Sequence, residues 1–315
     1  MPPSSRRANR AAARTKPAQQ RRDLAPRLSA TMACDTAFRL IARRCLADLT
    51  AERDATCGGD PVALHRMRIA LTHLRTAISF FSPMVADGMR TRVRAELKWL
   101  NAQLGTMRDL DVAIERLKAI DKRRPRAIPH YRAWTVKRAE IHRDLVPALR
   151  SIRFQRLVKS SSDWIERGPW TIRRGKQAAL NRASPVAPYS VRKLTKWQQK
   201  LLKKSRKLSK MDAEKRHRLR LLNKKLIYSI GSLEDLFPDK RFSRQQTALK
   251  YLREAQKSLG RLNDDARGHS LATALEREGV LVPFQFLSQK RGRGLMRQTA
   301  ATYRKLARWS EHRPT

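Results

Sequence analysis

The sequence predicts an all-α protein made of two similar helical halves derived from an internal duplication. Three observations carry this expectation. From about residue 30 onward, apolar residues recur at three- and four-residue steps, the spacing of one buried helix face. Only 12 glycines occur in 315 residues, too few for a turn-dense all-β fold or for glycine-rich phosphate loops. Two motifs occur twice each, in the same order, and self-similarity of this kind marks a repeated structural unit.

The elements follow in order. Residues 1–28 hold Arg6, Arg7, Arg10, Arg14, Lys16, Arg21, Arg22 and Arg27 without apolar periodicity, which predicts a disordered basic tail. The same composition, rich in Arg and poor in acids, also fits an organelle transit peptide. Phe38, Ile41, Cys45 and Leu49 then mark the first helix. Asp60-Pro61 supplies a cap followed by proline at the first helical position, and that helix runs to about Phe81, where Ser82-Pro83 stops it. Further helices are predicted over 89–104 and 110–120. A long one over 129–166 carries Trp134, Ile141, Leu145 and Leu149 on its apolar face and a kink at Pro147. Residues 169–188 read as a connector between a first half (29–168) and a second half (189–312). In the second half Leu194, Trp197, Leu201 and Leu208 define a strongly basic amphipathic helix. Helices over 212–237, 242–259, 264–278 and 283–309 follow.

The first repeated motif is His65-Arg66-Met67-Arg68-Ile69-Ala70, continuing to Leu74-Arg75. Its second copy begins at His217 and continues through Arg218, Leu219 and Arg220 to Lys224, Lys225 and Leu226. One shift places His65 on His217 and Arg68 on Arg220, and places Met67, Ala70, Leu74, Ile78 and Phe81 on Leu219, Leu222, Leu226, Ile230 and Leu233. At about 100° per residue the apolar positions form one stripe, and His65, Arg68, Thr72 and Arg75 form another, as do His217, Arg220 and Lys224. The second motif is Leu104-Gly105-Thr106-Met107-Arg108-Asp109, matched by Leu259-Gly260-Arg261-Leu262-Asn263-Asp264. Its glycine suits the end of one helix, and its Asp the cap of the next.

Charge narrows the partner. With 71 Lys+Arg against 27 Asp+Glu, the net charge is +44, an excess that destabilises a compact state through self-repulsion unless a polyanion neutralises it. A nucleic acid, an anionic membrane surface or an inorganic polyanion would serve. No apolar run reaches the length of a membrane span, so membrane insertion is not expected. Cys34, Cys45 and Cys57 have no metal-site spacing, are odd in number and read as reduced intracellular thiols. Asp109, Asp111 and Glu115 come nearest to an acidic cluster. No zincin motif, paired-carboxylate pattern or nucleophile elbow is present. The expectation is a protein that is not an enzyme and has no metal and no cofactor.

The candidate anion contacts are cations around the two motifs. Arg68 and Arg220 border the apolar stripes, and a guanidinium presents a planar fork to phosphate oxygens. His65 and His217 can donate from both ring nitrogens when protonated, or can serve as ordinary hydrogen-bonding residues. Arg75, Lys224 and Lys225 continue the stripes. Lys98 corresponds to Arg253 upstream of the second motif, with Lys257 close by. Arg108 reaches either the ligand or the neighbouring Asp109; Asp109 and Asp264 read as caps or as partners of nearby arginines. The run from Lys200 through Lys203, Lys204, Arg206 and Lys207 to Lys210 is a solvated face or an extension of the anion-binding surface.

The H-x-x-R-x-A stretch ending at Leu74-Arg75, the L-G-x-x-R-D segment and their second copies resemble the CHAD family, the conserved histidine α-helical domain. The resemblance spans residues 29–312. It implies two pseudo-symmetric helical bundles around a basic central cavity, binding of inorganic polyphosphate, cytoplasmic association with polyphosphate granules, and no catalytic activity of the domain itself. On that basis His65, Arg68, Arg75, Lys98, Arg108, His217, Arg220, Lys224, Lys225, Arg253 and Lys257 are the polyphosphate-binding candidates. The chain departs from the family pattern at Thr72 and His73, where basic residues are usual, so the first half is expected to grip phosphate less strongly. Two other functions remain open: non-specific nucleic-acid binding, and a scaffold that tethers granules to another cell component.

Overall fold

Asp60 begins one of the motif helices by accepting a hydrogen bond from the backbone N–H of Val62 at 2.8 Å, with Pro61 at the first helical position. Asp212 begins the other by accepting from the N–H of Lys215 at 2.7 Å. Both belong to a computed structural model that describes residues 27–120, 131–236, 240–277 and 288–311. Its helices are α1 (Cys34–Ala51), α2 (Arg53–Cys57), α3 (Pro61–Phe80), α4 (Gly88–Ile120), α5 (Tyr131–Arg150) and α6 (Ile152–Arg167). They continue with α7 (Lys176–Ala183), α8 (Val186–Ser205), α9 (Ala213–Ser232), α10 (Lys240–Arg277) and α11 (Gln289–Glu311). Short 3-10 turns follow α6, α8 and α9. Among the described residues no sheet forms; a lone bridge joins Ala33 to Pro185.

Two apolar cores organise these helices. The first fills the space between α1, α3, α4 and α6 with Phe38, Phe80, Phe81, Trp164 and Trp170. The second lies between α9, α10 and α11 around Leu226, Leu252, Leu259, Tyr303 and Leu306. Leu194 and Trp197 on α8 pack against both, so α8 joins the two cores. Of the aligned apolar positions of the first motif, Met67, Ala70, Leu74, Ile78, Phe81, Leu219, Leu226, Ile230 and Leu233 are buried, while Leu222 is half-buried.

Several boundaries differ from those expected. Gly105 and Gly260 end no helix; each lies inside an unbroken one, α4 or α10, in place of the separate helices expected over 89–104 and 110–120 and over 242–259 and 264–278. A helical glycine costs roughly 1 kcal/mol, less than the contribution of buried Leu100, Leu104, Met107 and Leu110, which span the site on one apolar face. Asp109 and Asp264 therefore cap nothing. The helix expected over 129–166 is two helices. Pro147 sits inside α5, and the chain leaves the helix at Ser151, whose hydroxyl caps α6 by accepting from the N–H of Phe154 at 3.2 Å. The connector contains α7 and the start of α8. Leu28, expected in the tail, is buried in the first core; residues 1–26 lie outside the described residues. Cys34, Cys45 and Cys57 are free thiols, and burial pushes Cys34 and Cys45 up to about 12.

Two positions carry sharp stability predictions. Gly168 sits between Trp164 and Trp170, and a Cβ there would lie 2.5 Å from the Trp164 carbonyl oxygen and 2.8 Å from the Trp170 ring. Backbone cannot yield to that contact. Gly168→Ala is expected to lower stability by about 2–3 kcal/mol, read as a reduced urea midpoint. Buried Asn223 donates to the Leu252 carbonyl at 2.8 Å and to Gln256 at 3.0 Å, and accepts from the Tyr303 hydroxyl at 3.1 Å. Asn223→Leu strands the buried Tyr303 hydroxyl, at a cost of about 1–3 kcal/mol in the same measurement.

Candidate anion-binding site

Helices α3 and α9, which carry the two copies of the first motif, pack against each other. The His73 and Tyr228 rings meet across their seam with centroids 4.2 Å apart. The Lys225 ammonium donates across it to the Ser79 hydroxyl at 3.2 Å. This packing sets the cations of one motif beside those of the other. Burial pushes the Arg68 guanidinium down from its ordinary value; Asp109 opposes that, while Arg267, Arg108 and Arg220 add to it. Arg220 is pushed down first by burial, with Asp264 opposing and Arg267 adding. Lys224, half-buried over the Tyr228 ring with its ammonium 5.3 Å from the ring centroid, falls to about 8 through burial together with Arg220 and Arg68.

Arg68, Arg220, Lys224, Arg108 and Arg267 thus share one neighbourhood with three carboxylates, Asp109, Asp264 and Glu115. Only part of the positive charge is paired. Arg267 forms an ion pair with Asp109 at 2.9 Å, joining α10 to α4, and Arg108 approaches Glu115 at 3.6 Å. Among the described residues no ion pair reaches Arg68, Arg220 or Lys224. Nη1 of Arg68 and Nε of Arg220 are buried without a hydrogen-bond partner. An unmade bond at a buried cationic donor costs several kcal/mol. Gly105 assists locally: a Cβ there would stand 3.3 Å from Nη1 of Arg68, so glycine lets the guanidinium lie against α4. The equivalent Gly260 faces open space.

The two histidines differ. The Nδ1–H of His217 donates to Oδ1 of Asn263 at 2.5 Å, tying α9 to α10. His65 is exposed at the edge of the cluster, where partial burial and then Arg108, Lys224 and Arg68 push its imidazole down. Thr72 spends its hydroxyl on the Arg68 carbonyl at 2.8 Å, so Lys224 has no cationic counterpart on α3.

Not every candidate joins this cluster. Arg75 and Lys225 lie farther along the seam, with Arg94 and Lys200 within electrostatic reach. Lys98, Arg253 and Lys257 are exposed on α4 and α10, and no contact links them to Arg68 or Arg220. Arg267 and Tyr228 were not singled out in the sequence. Arg267 follows the second motif at a position where the first copy has Val112, so repetition could not expose it. Asp111, nearly buried, is occupied by Arg138 of α5 at 2.6 Å, and no group of three potential metal ligands occurs among the described residues. A cavity of about 920 Å³ opens between α8 and α11, lined in part by Lys203, Arg206 and Arg304; Arg68, Arg220 and Lys224 are not in its wall. Among the described residues no helix is long and apolar enough to cross a membrane.

The family model described as CHAD domain matches residues 40–273, which include both copies of both motifs and all five clustered cations. The chain belongs to the CHAD domain family. The fold of this CHAD domain is similar to the crystal structure of the CHAD domain from the plant Ricinus communis, with a TM-score of 0.69 at 23% identity over 92% of this chain and 91% of that one. It is also similar to PptA from Streptomyces chartreusis, with a TM-score of 0.50 at 12% identity over 89% of this chain and 97% of that one. At these identities the likeness concerns the fold. No curated protein matches this CHAD domain.

Proposed function

We propose that this CHAD domain binds inorganic polyphosphate, without catalysing a reaction on it, through the cations gathered where α3 and α9 meet. The observation that carries this reading is the pair of half-buried arginines, one from each motif copy, that lie beside Lys224 with no ion pair among the described residues. Each terminus of a guanidinium fork matches phosphate oxygens. A phosphoanhydride chain bears about one charge per unit and presents the same oxygens at every step, so it needs no base-reading surface. In this reading the two halves are duplicated bundles that share the cluster, and association with granules follows from the ligand.

Competition binding tests it. Long-chain polyphosphate and single-stranded DNA of matched total charge compete for the protein across a salt series. Polyphosphate is expected to displace DNA at every salt concentration, with an affinity that falls steeply as salt rises. Equal preference for the two polymers overturns the reading and leaves general attraction between a +44 chain and any polyanion.

A further inference from the structure

The helices around the second core leave one side open. α9 packs closely on α8 and on α10, and α10 on α11, whereas α11 meets α8 at few points. The cavity of about 920 Å³ lies in that gap. Each wall is a single helix stripe at three- and four-residue steps. α8 supplies one from Thr195 through Gln198 and Leu202 to Ser205, and α11 another from Ala300 through Tyr303 and Ala307 to Ser310. Each stripe runs for about three turns, a length of about 15 Å.

The lining divides by polarity. Leu202, Ala300 and Ala307 are apolar, and the two alanines leave room that larger side chains would fill. Tyr303 adds its ring, since its hydroxyl is spent on Asn223 at 3.1 Å. Lys203, Arg206 and Arg304 supply the charge, and all three are exposed. Among the described residues no carboxylate lines the groove, and no ion pair reaches these three cations.

A fitting occupant is therefore acidic, carries an apolar face and is about three turns long. A three-turn helix 10–12 Å across fills roughly 1,400 Å³, so the groove holds rather more than half of one. Polyphosphate is a poor match, because it has no apolar face to set on Leu202 and the alanines. Single-stranded nucleic acid stacks on open aromatic faces, and Tyr303 is only 2% exposed. A second copy of the chain carries the same +44 and is repelled.

We propose that the groove between α8 and α11 docks an acidic amphipathic helix of a partner protein. The apolar stripe of that helix lies on Leu202, Ala300 and Ala307. Carboxylates on its two flanks meet Lys203 and Arg206 on one wall and Arg304 on the other. The site is separate from the Arg68 cluster, and the inference does not depend on the polyphosphate reading.

The probe is a fluorescent peptide of about 14 residues, lactam-bridged because short free helices are marginal in water. Leucine and alanine form one stripe along it, between two rows of glutamate. A bridged isomer of the same composition in scrambled order has the same charge and no stripe. Both are titrated at low and high salt into the full chain and into two variants. Ala300→Leu/Ala307→Leu fills the groove, and Lys203→Ser/Arg304→Ser removes charge at exposed positions, which keeps the test decisive if the first variant does not fold. Wild type is expected to prefer the striped peptide by at least about tenfold. That preference should persist at high salt, where attraction between exposed charges is screened. Affinity for the striped peptide should fall at least about tenfold in the filled groove and about threefold in the serine variant. Long-chain polyphosphate affinity should stay within about twofold in both. Equal binding of the two isomers, or binding of neither, overturns the inference. So does an undiminished preference in either folded variant. Parallel weakening of peptide and polyphosphate makes the groove part of a polyanion path and overturns it as well. Failure of wild type to bind polyphosphate removes the proposed function and leaves the groove standing.

Discussion

The double variant Arg68→Ala/Arg220→Ala is expected to lose at least about a hundredfold in polyphosphate affinity while folding at least as stably as wild type in the absence of ligand. Each arginine supplies charge-assisted hydrogen bonds of about 1.5–3 kcal/mol to an anion, and every 1.4 kcal/mol is a factor of ten. The stability half of the expectation has the opposite sign. In the empty protein both guanidinium groups are partly desolvated, face one another and Arg267, and leave Nη1 and Nε without partners. Their removal relieves that cost, as expected where function is retained at the expense of stability. Lysine at both positions keeps the charge and loses the planar fork, so Arg68→Lys/Arg220→Lys should bind with intermediate strength. Isothermal titration and thermal melts on the three proteins check both halves. A double alanine variant that binds as wild type, or that loses binding only because it unfolds, overturns the assignment.

Binding is expected to depend on pH through Lys224. Its ammonium is held at about 8, against an ordinary value of 10.5, by burial together with Arg220 and Arg68; Arg267 adds to this and Asp264 opposes it. A bound polyanion favours the charged form, so binding takes up a proton once the pH exceeds about 8. Affinity is expected to weaken by up to about tenfold per pH unit between pH 8 and 10, and Lys224→Met should flatten that slope. The stability of the empty protein moves the other way. The folded value lies below the unfolded one, so between about 8 and 10.5 the unfolded chain holds more protons, and raising the pH through that window favours folding. This group contributes up to about 3 kcal/mol there. A wild-type affinity that is flat across the window, or a variant that keeps the slope, removes Lys224 from the site.

The sequence carried a good deal of this. Helix periodicity located α1, α3 and α9, and the cap Asp60 follows from residue type alone, because a local hydrogen bond to the first turn depends on little else. It misplaced the breaks inside α4 and α10. A glycine reads as punctuation locally, yet Leu100, Leu104, Met107 and Leu110 are buried straight across Gly105, and burial outweighs the local preference. Repetition exposed Arg68, Arg220 and Lys224. It missed Arg267, which has no counterpart in the first half, and it ranked His65 with His217, though Asn263 holds only the second.

By itself the sequence determined the helical class, the doubled motif and the excess of cations, since these depend on composition and on spacing along one helix. Only the tertiary structure decided which of the 71 basic side chains work together. Charge does not specify proximity. The packing of α3 on α9 brings Arg68 beside Arg220 and Lys224, sends Lys225 toward Trp197, and leaves Lys98, Arg253 and Lys257 in solvent.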